Sequence, residues 1–295
     1  MFRSLFCPVF FLFFSLSVAA QEVNSILQRK AETHFENREW REAAAMFNVL
    51  INESPSVLEL YAYAVASNDL GGDKRGVMAA VELSEKSGIP LDSLFDKTRQ
   101  LCTAIGNNGI YERMLLCIKG EQPWFKRIVN KYLLRFYMER KENAKALAIA
   151  DEALLSFPDN IRLLNAKASI LADSGDLSGA ADCMALVLRL DSTVMEARLF
   201  LGNYYFIKGS ELYEKGISAS TTSAADSVPT ATVTDRVDYL GEARSMFLLA
   251  EEYLGSDSMD INTPYVLNTV GIIRERIKEL SGLPSAALQS SPPAK

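Results

Sequence analysis

The chain has 295 residues, a formal net charge of −6 and 48% hydrophobic content, enough apolar material for a sizeable folded body. Its 31 basic residues are outnumbered by 37 acidic ones, so it lacks the cationic excess that general nucleic-acid binding needs. Glycine and proline are modest, at 16 and 10, which excludes a fibrous or wholly disordered chain.

The N-terminus reads as a targeting segment. Arg3 precedes an apolar run from Leu5 to Val18, and small residues follow at Ala19 and Ala20. A basic start, a short apolar centre and a small-residue exit are the parts of a secretory signal peptide. The run is shorter than the ~20 residues of a membrane-spanning helix. Residues 1–20 are therefore expected to be a signal peptide cleaved after Ala20, with a retained anchor as the alternative. Cys7 follows Phe6 and precedes most of the run, so it does not resemble a lipid-attachment cysteine. Three cysteines remain, Cys102, Cys117 and Cys183, and an odd count in an exported chain is no disulfide framework. Either Cys102 and Cys117 meet on neighbouring helices, or all three serve as small buried hydrophobes.

Residues 21–282 read as a succession of helix pairs. In 24–57, Ala31, Trp40, Ala43, Phe47 and Leu50 recur at helical spacing and Pro55 closes the pair. Residues 58–122 keep the paired rhythm less clearly, with "GGDKRG" at 71–76 read as a turn. In 127–160, Ala146, Ala150 and Ala153 mark a second helix that ends at Pro158. In 161–194, Leu164, Ala168 and Leu171 lead to a break at Gly175-Asp176, and Leu177, Ala180, Ala181, Met184 and Val187 follow. Small residues such as Ala168 and Ala180 allow two antiparallel backbones to approach. In 195–254, a first helix with Gly202 and Tyr205 runs to about Lys215, and a second carries Ala243, Phe247 and Ala250. Between them, 217–234 is rich in Ser, Thr and Ala and has no period, so it is expected to be an inserted loop. "TPYVLNTVGIIRERIKELSG" reads as a final helix, with Thr263 as candidate cap, Pro264 at the first position and an apolar stripe of Val266, Val270, Ile273 and Ile277. Residues 283–295 read as a disordered tail.

Pro55, Pro90, Pro123, Pro158 and Ser192 recur at intervals of 33 to 35 residues, although Pro90 also suits the opening of the next helix. On these residues the chain resembles the tetratricopeptide repeat family, built from 34-residue helix–turn–helix units. Repeats 24–57, 127–160, 161–194 and 195–254 match best. In 58–122, Met78 and Tyr111 stand where the second-helix alanine is expected, so those repeats are degenerate. The resemblance implies an all-α fold, a right-handed α-α superhelix of stacked helix–turn–helix repeats. It implies a non-enzymatic scaffold that uses its concave wall and needs no cofactor. The positions it places on that wall are Ser25, Gln28 and Glu32, then Lys131 and Arg135, then Arg162, Asn165 and Ser169, then Glu196, Leu199 and Asn203.

Within that set Lys131, Arg135, Arg162, Asn165, Ser169 and Asn203 are the candidate partner-binding residues. Cations beside amide donors suit a carboxylate, so a protein or extended peptide of acidic character is the partner class they imply. The bland reading is that they are ordinary solvated helix positions. The alternative function is a structural subunit of a cell-envelope or outer-membrane assembly, with the convex surface, Trp124, Phe125 and the loop 217–234 as contacts; core packing is the commoner use of such aromatics. Asp226-Ser227-Val228, Asp92-Ser93-Leu94 and Asp257-Ser258-Met259 resemble the O-glycosylation acceptor of Bacteroidota, although an Asp or Ser before a helix is usually a cap. Export and that pattern together point to the periplasm of a Gram-negative bacterium. A catalytic reading has little support. The lone histidine, His34, falls inside a helix without metal-ligand spacing around it, and nothing singles out a facing carboxylate pair.

Overall fold

The computed structural model describes residues 25–221, 233–255 and 264–282. The signal peptide and its cleavage at Ala20, residues 222–232 of the inserted loop, Thr263, the acceptor patterns at 226–228 and 257–259, and the tail at 283–295 lie outside the described residues. The described residues are helical with short turns and contain no strand. The chain divides into two compact units, Met1–Arg140 and Lys141–Lys295.

The first unit contains α1 (25–36), α2 (Trp40–Glu53), α3 (Leu58–Leu70), α4 (Lys74–Lys86), α5 (Leu91–Ala104), α6 (Gly109–Glu121), a 3-10 turn (Pro123–Phe125) and α7 (Lys126–Glu139). Its centre is α3, which packs on α2, α4, α5 and α6. Leu60, Tyr61, Ala62, Ala64, Val65 and Ala66 of α3 are all buried, as expected of a helix covered on several sides. An aromatic cluster joins the first three helices. Phe35 meets Trp40 and Tyr63 edge-on at 5.3 and 5.2 Å, and Phe47 stacks on Tyr63 at 4.9 Å. Phe95–Tyr132 at 5.1 Å and Tyr111–Phe136 at 5.4 Å extend the core from α5 and α6 to α7. Met78 and Tyr111 are buried where alanine was expected, so in these repeats larger side chains fill the contact. Arg113 of α6 reaches both carboxylate oxygens of Asp69 at the end of α3, with Nε 3.0 and 3.1 Å from them.

The second unit contains α8 (Asn143–Ser156), α9 (Ile161–Asp173), α10 (Leu177–Leu190), α11 (Met195–Thr221), α12 (Val233–Leu254) and α13 (Pro264–Ser281), each packed on the next. Ala168, Ala180, Val187, Ala197 and Leu201 are fully buried where α9, α10 and α11 meet. Ala243, Phe247, Ala250 and Ile273 do the same for α11, α12 and α13.

The turns repeat one device. Gly72, Gly88, Gly106 and Gly175 have positive φ just past a helix end. The following N–H then bonds back across the last turn, as in Asp73 N to Asn68 O at 2.8 Å and Asp176 N to Leu171 O at 2.9 Å. In two places the next residue also caps the following helix. Asp73 accepts from Gly76 N and Asp176 accepts from Gly179 N. Lys74, Arg75 and Gly76, read as turn from the sequence, therefore belong to α4. Pro90 opens α5 rather than closing α4.

α11 and α12 are the longest helices among the described residues, and glycine is the reason they lie together. A Cβ at Gly202 would come within 2.3 Å of Leu254, at Gly209 within 2.9 Å of Phe247, and at Gly216 within 2.6 Å of Leu240. The three contacts advance by seven residues on each helix in opposite directions, an antiparallel seam with a coiled-coil period. Gly216 carries this seam past Lys215, so α11 continues to Thr221 through the beginning of the expected loop.

The seam makes a paired prediction. Gly202→Ala should lower the melting temperature, because an added methyl overpacks against buried Leu254 at a cost of about 1–3 kcal/mol. Gly271→Ala on α13, where nothing lies within 4 Å of the new carbon, should raise the melting temperature, because helix preference adds roughly 0.5–1 kcal/mol of stability. Thermal unfolding followed by circular dichroism reads both signs, and a rise for Gly202→Ala would contradict the close seam.

Candidate functional site

The candidate binding residues fall into two sets, one in each unit. Lys131 and Arg135 lie on α7 in the first, four residues apart and both exposed. Neither is a free cation. Lys131 Nζ lies 3.9 Å from Asp92 on α5 and 5.1 Å from the Tyr132 ring centre. Arg135 Nε donates to Glu139 at 3.0 Å, and Glu139 also receives Arg99 at 3.2 Å. Burial pushes the Tyr132 phenol up, and its hydrogen bond with Asp92 adds to the shift. The acidic groups of this patch are thus already shared among its own cations and phenol. Asp92-Ser93-Leu94, one of the acceptor patterns, lies in the first turn of α5.

In the second unit, Arg162, Asn165 and Ser169 occupy one side of α9, at the spacing that brings residues onto a common face. Arg162 and Ser169 are exposed, and Asn165 is half-buried. Arg162 has no ion pair among the described residues. The Asn165 Oδ1 is shielded from solvent with no hydrogen-bond partner among the described residues. Leu164, Ala168 and Ile170 of the same helix are buried. Asn203 on α11 accepts a long 3.4 Å hydrogen bond from Tyr265 on α13.

Two surface features stand out, and only the second left no trace in the sequence. Trp124 is 70% exposed, its ring tilted against Phe125 at 5.9 Å, because the 3-10 turn Pro123–Phe125 lifts it away from the core. Core packing is the wrong reading for Trp124. The other feature is a groove of about 750 Å3 bounded by α8, α9 and α10, whose lining includes Leu155, Leu164, Lys167 and Asp182. Its exposed lip was hidden in a helical period that looked ordinary.

The remaining reactive groups are structural in setting. His34 is partly exposed at the end of α1 and hydrogen-bonds the Glu39 carboxylate just before α2. Cys102, Cys117 and Cys183 are all free thiols. Cys102 and Cys183 are buried and Cys117 half-buried, so only two of the three behave as core residues. Burial pushes the Cys102 thiol up to about 12.

No protein-family model and no curated protein matches the sequence. Solved structures do resemble it. A protein from Bacteroides ovatus gives a TM-score of 0.42 at 16% identity, over 87% of this chain and 98% of that one. The C-terminal part of a TPR repeat-containing protein from Cytophaga hutchinsonii gives 0.39 at 10% identity, over 88% and 97%. A tetratricopeptide repeat protein from Parabacteroides merdae gives 0.34 at 11% identity, over 88% and 100%. The chain is similar to tetratricopeptide-repeat proteins. The helix pairing within each unit, described above, is what makes the fold a stacked helix–turn–helix one.

The thiol environments predict the order of alkylation. Iodoacetamide at pH 8 should modify Cys117 first in the folded protein, with Cys102 reacting only on unfolding. Peptide mass mapping checks this, and equal rates at Cys102 and Cys117 would contradict the burial of Cys102.

Proposed function

We propose that the chain is a non-catalytic scaffold that holds a protein or extended peptide against the open faces of its helix pairs. The observation that carries this reading is the division of α9. One side, with Leu164 and Ala168, is fixed in the core, while Arg162, Asn165 and Ser169 stand on another side held in place by that packing. Side chains presented on a rigid element lose little freedom on binding, so ordering falls mainly on the ligand. The concave wall inferred from the family resemblance is the same side of α9.

An acidic partner segment is the finer part of the proposal, and it rests on Arg162 more than on Lys131 or Arg135. A carboxylate arriving at α7 competes with Asp92 and Glu139, whereas at Arg162 it meets a cation with no ion pair among the described residues. The test is fluorescence anisotropy with a fluorescein-labelled ten-residue peptide rich in Asp and Glu. Arg162→Glu should weaken binding roughly threefold to tenfold. The double change Lys131→Ala, Arg135→Ala should weaken it less. The reverse ranking would remove Arg162 from the site.

Export to a Gram-negative periplasm, through removal of residues 1–20, belongs to the same proposal. Exposed Trp124 supports a second reading, a subunit of an envelope assembly, because aromatic side chains typify the centres of protein interfaces. One preparation tests both. Protein recovered from an envelope extract should begin at Gln21 by N-terminal sequencing. On a native gel the scaffold reading expects a free monomer, and the assembly reading expects a larger complex that Trp124→Ser dissolves. A chain that still carries residues 1–20 would overturn cleaved export.

A further inference from the structure

We propose that the groove bounded by α8, α9 and α10 docks a short partner segment that carries apolar side chains flanked by Lys or Arg. The groove has a volume of about 750 Å3 and lies within the second unit. Its apolar surface includes Leu154 of α8, Leu164 of α9 and Leu186 of α10. Leu155, at the end of α8, stands on the lip at 87% exposure, with nothing of its own chain covering it among the described residues. A leucine so placed next to an apolar recess is the arrangement that buries a partner's apolar side chain on two sides.

The charges around the recess choose the partner. Asp151, Glu152 and Asp182 supply three carboxylates, and Lys167 is the single cation in the lining. Lys167 is bonded to Asp151 at 2.8 Å, so those two charges answer each other, and the exposed Asp182 carries the negative character of the recess. The carboxylate excess favours a segment whose apolar residues are bracketed by basic ones and disfavours an acidic one. The surface is also distinct from the Arg162 face. At 100° per residue, Leu164 and Lys167 point to the side of α9 away from Arg162, Asn165 and Ser169. The two sides of one helix thus present opposite charge, and this groove goes beyond the acidic-peptide reading.

The experiment uses the chain from residue 21 onward and three labelled 16-residue probes followed by fluorescence anisotropy. The first is an amphipathic Leu/Lys peptide, the second replaces each Lys by Glu, and the third replaces each Leu by Ser. The probe without Leu should not bind. Any binding of the Glu probe should be lost on Arg162→Glu and be indifferent to Leu155→Asp. The Leu/Lys probe should bind in the groove. Leu155→Asp should weaken it about tenfold, since an exposed apolar anchor becomes a solvated charge. Asp182→Lys should weaken it about threefold to fivefold. Both residues are exposed, and unchanged melting temperatures would confirm that the variants fold. Leu155→Asp weakening the Leu/Glu probe as much as the Leu/Lys probe, indifference of the Leu/Lys probe to Leu155→Asp, or no binding of the Leu/Lys probe would overturn the proposal. So would loss of the Leu/Lys probe on Arg162→Glu alone, which would assign it to the other face of α9 and leave the scaffold reading intact. Concentration-dependent dimerisation abolished by Leu155→Asp in sedimentation velocity would mean that a second copy occupies the groove, and would equally overturn it.

Discussion

Helices that touch along their length must leave room for one another's backbone, and in this chain that room is made by removing side chains. Ala168, Ala180 and Ala197 are fully buried where α9, α10 and α11 converge. Between α11 and α12 the side chain is removed altogether at Gly202, Gly209 and Gly216, and Leu254, Phe247 and Leu240 fill the space. A glycine inside a helix costs roughly 0.5–1 kcal/mol relative to alanine, so three in one helix are an expense that only packing offsets. The offset here is the burial of two leucines and a phenylalanine against bare backbone. The seam explains why the last pair is so much longer than the 13- and 14-residue helices before it. Once two helices share a seven-residue contact period, each added turn brings another contact, and the pair extends for as long as the period does.

The turns complement this economy of side chains. Four glycines with positive φ end helices at places where any Cβ would be strained, and Arg38 and Lys141 take the same conformation without being glycine. The Gly-Asp-x-x-Gly stretches at 72–76 and 175–179 combine three jobs. The first glycine reverses the chain, the aspartate caps the next helix, and the second glycine leaves space for the cap. A Cβ on Gly179 would lie 2.5 Å from the Asp176 carboxylate, so the capping carboxylate and a side chain there cannot coexist without a shift. The turn therefore fixes where the next helix starts, and the helix start fixes which residues share its exposed face. In α9 the cap is Asn160, which accepts from Leu163 N at 3.2 Å, and the position of Arg162 follows from it.

Much of this was legible in the sequence. Ala31, Ala43, Phe47, Ala146, Ala150, Ala180 and Val187 were picked out by helical spacing, and all are buried. The sevenfold spacing of Gly202, Gly209 and Gly216, and of Leu240, Phe247 and Leu254, was equally present, yet a period of seven inside one helix gains meaning only when its partner helix is known. The end of α11 was misplaced for the same reason. Residues 217–221 look like loop by composition, and Gly216 holds them helical through a contact with α12 that no local pattern contains. The candidate cations show a different limit. Lys131 and Arg162 look alike in sequence, and only the arrangement of α5 beside α7 brings Asp92 to Lys131; Glu139, four residues beyond Arg135 on α7 itself, was open to a helical reading. Trp124 was misread because a 3-10 turn of three residues, too short to have a period, decides its direction.

Charge on a helical scaffold is mostly answered by the scaffold itself, and the exceptions carry the functional argument. Lys97 meets Glu59, Arg99 meets Glu139, Arg113 meets Asp69, Lys167 meets Asp151 and Arg274 meets Glu251. Such pairs on an exposed surface contribute about 0–1 kcal/mol each, so their number says little about stability. Their effect on recognition is larger. A cation that already faces a carboxylate offers an incoming anion only the difference between two similar contacts, whereas an unpaired one offers the whole contact. On α9 this logic separates two neighbouring basic residues. Lys167 and Asp151 answer each other, and that leaves Asp182 to set the sign of the groove beside them; Arg162 has no ion pair among the described residues, and its face keeps a positive character. One helix, with its apolar residues locked between α8 and α10, therefore sets apart two surfaces of opposite sign without any change in fold.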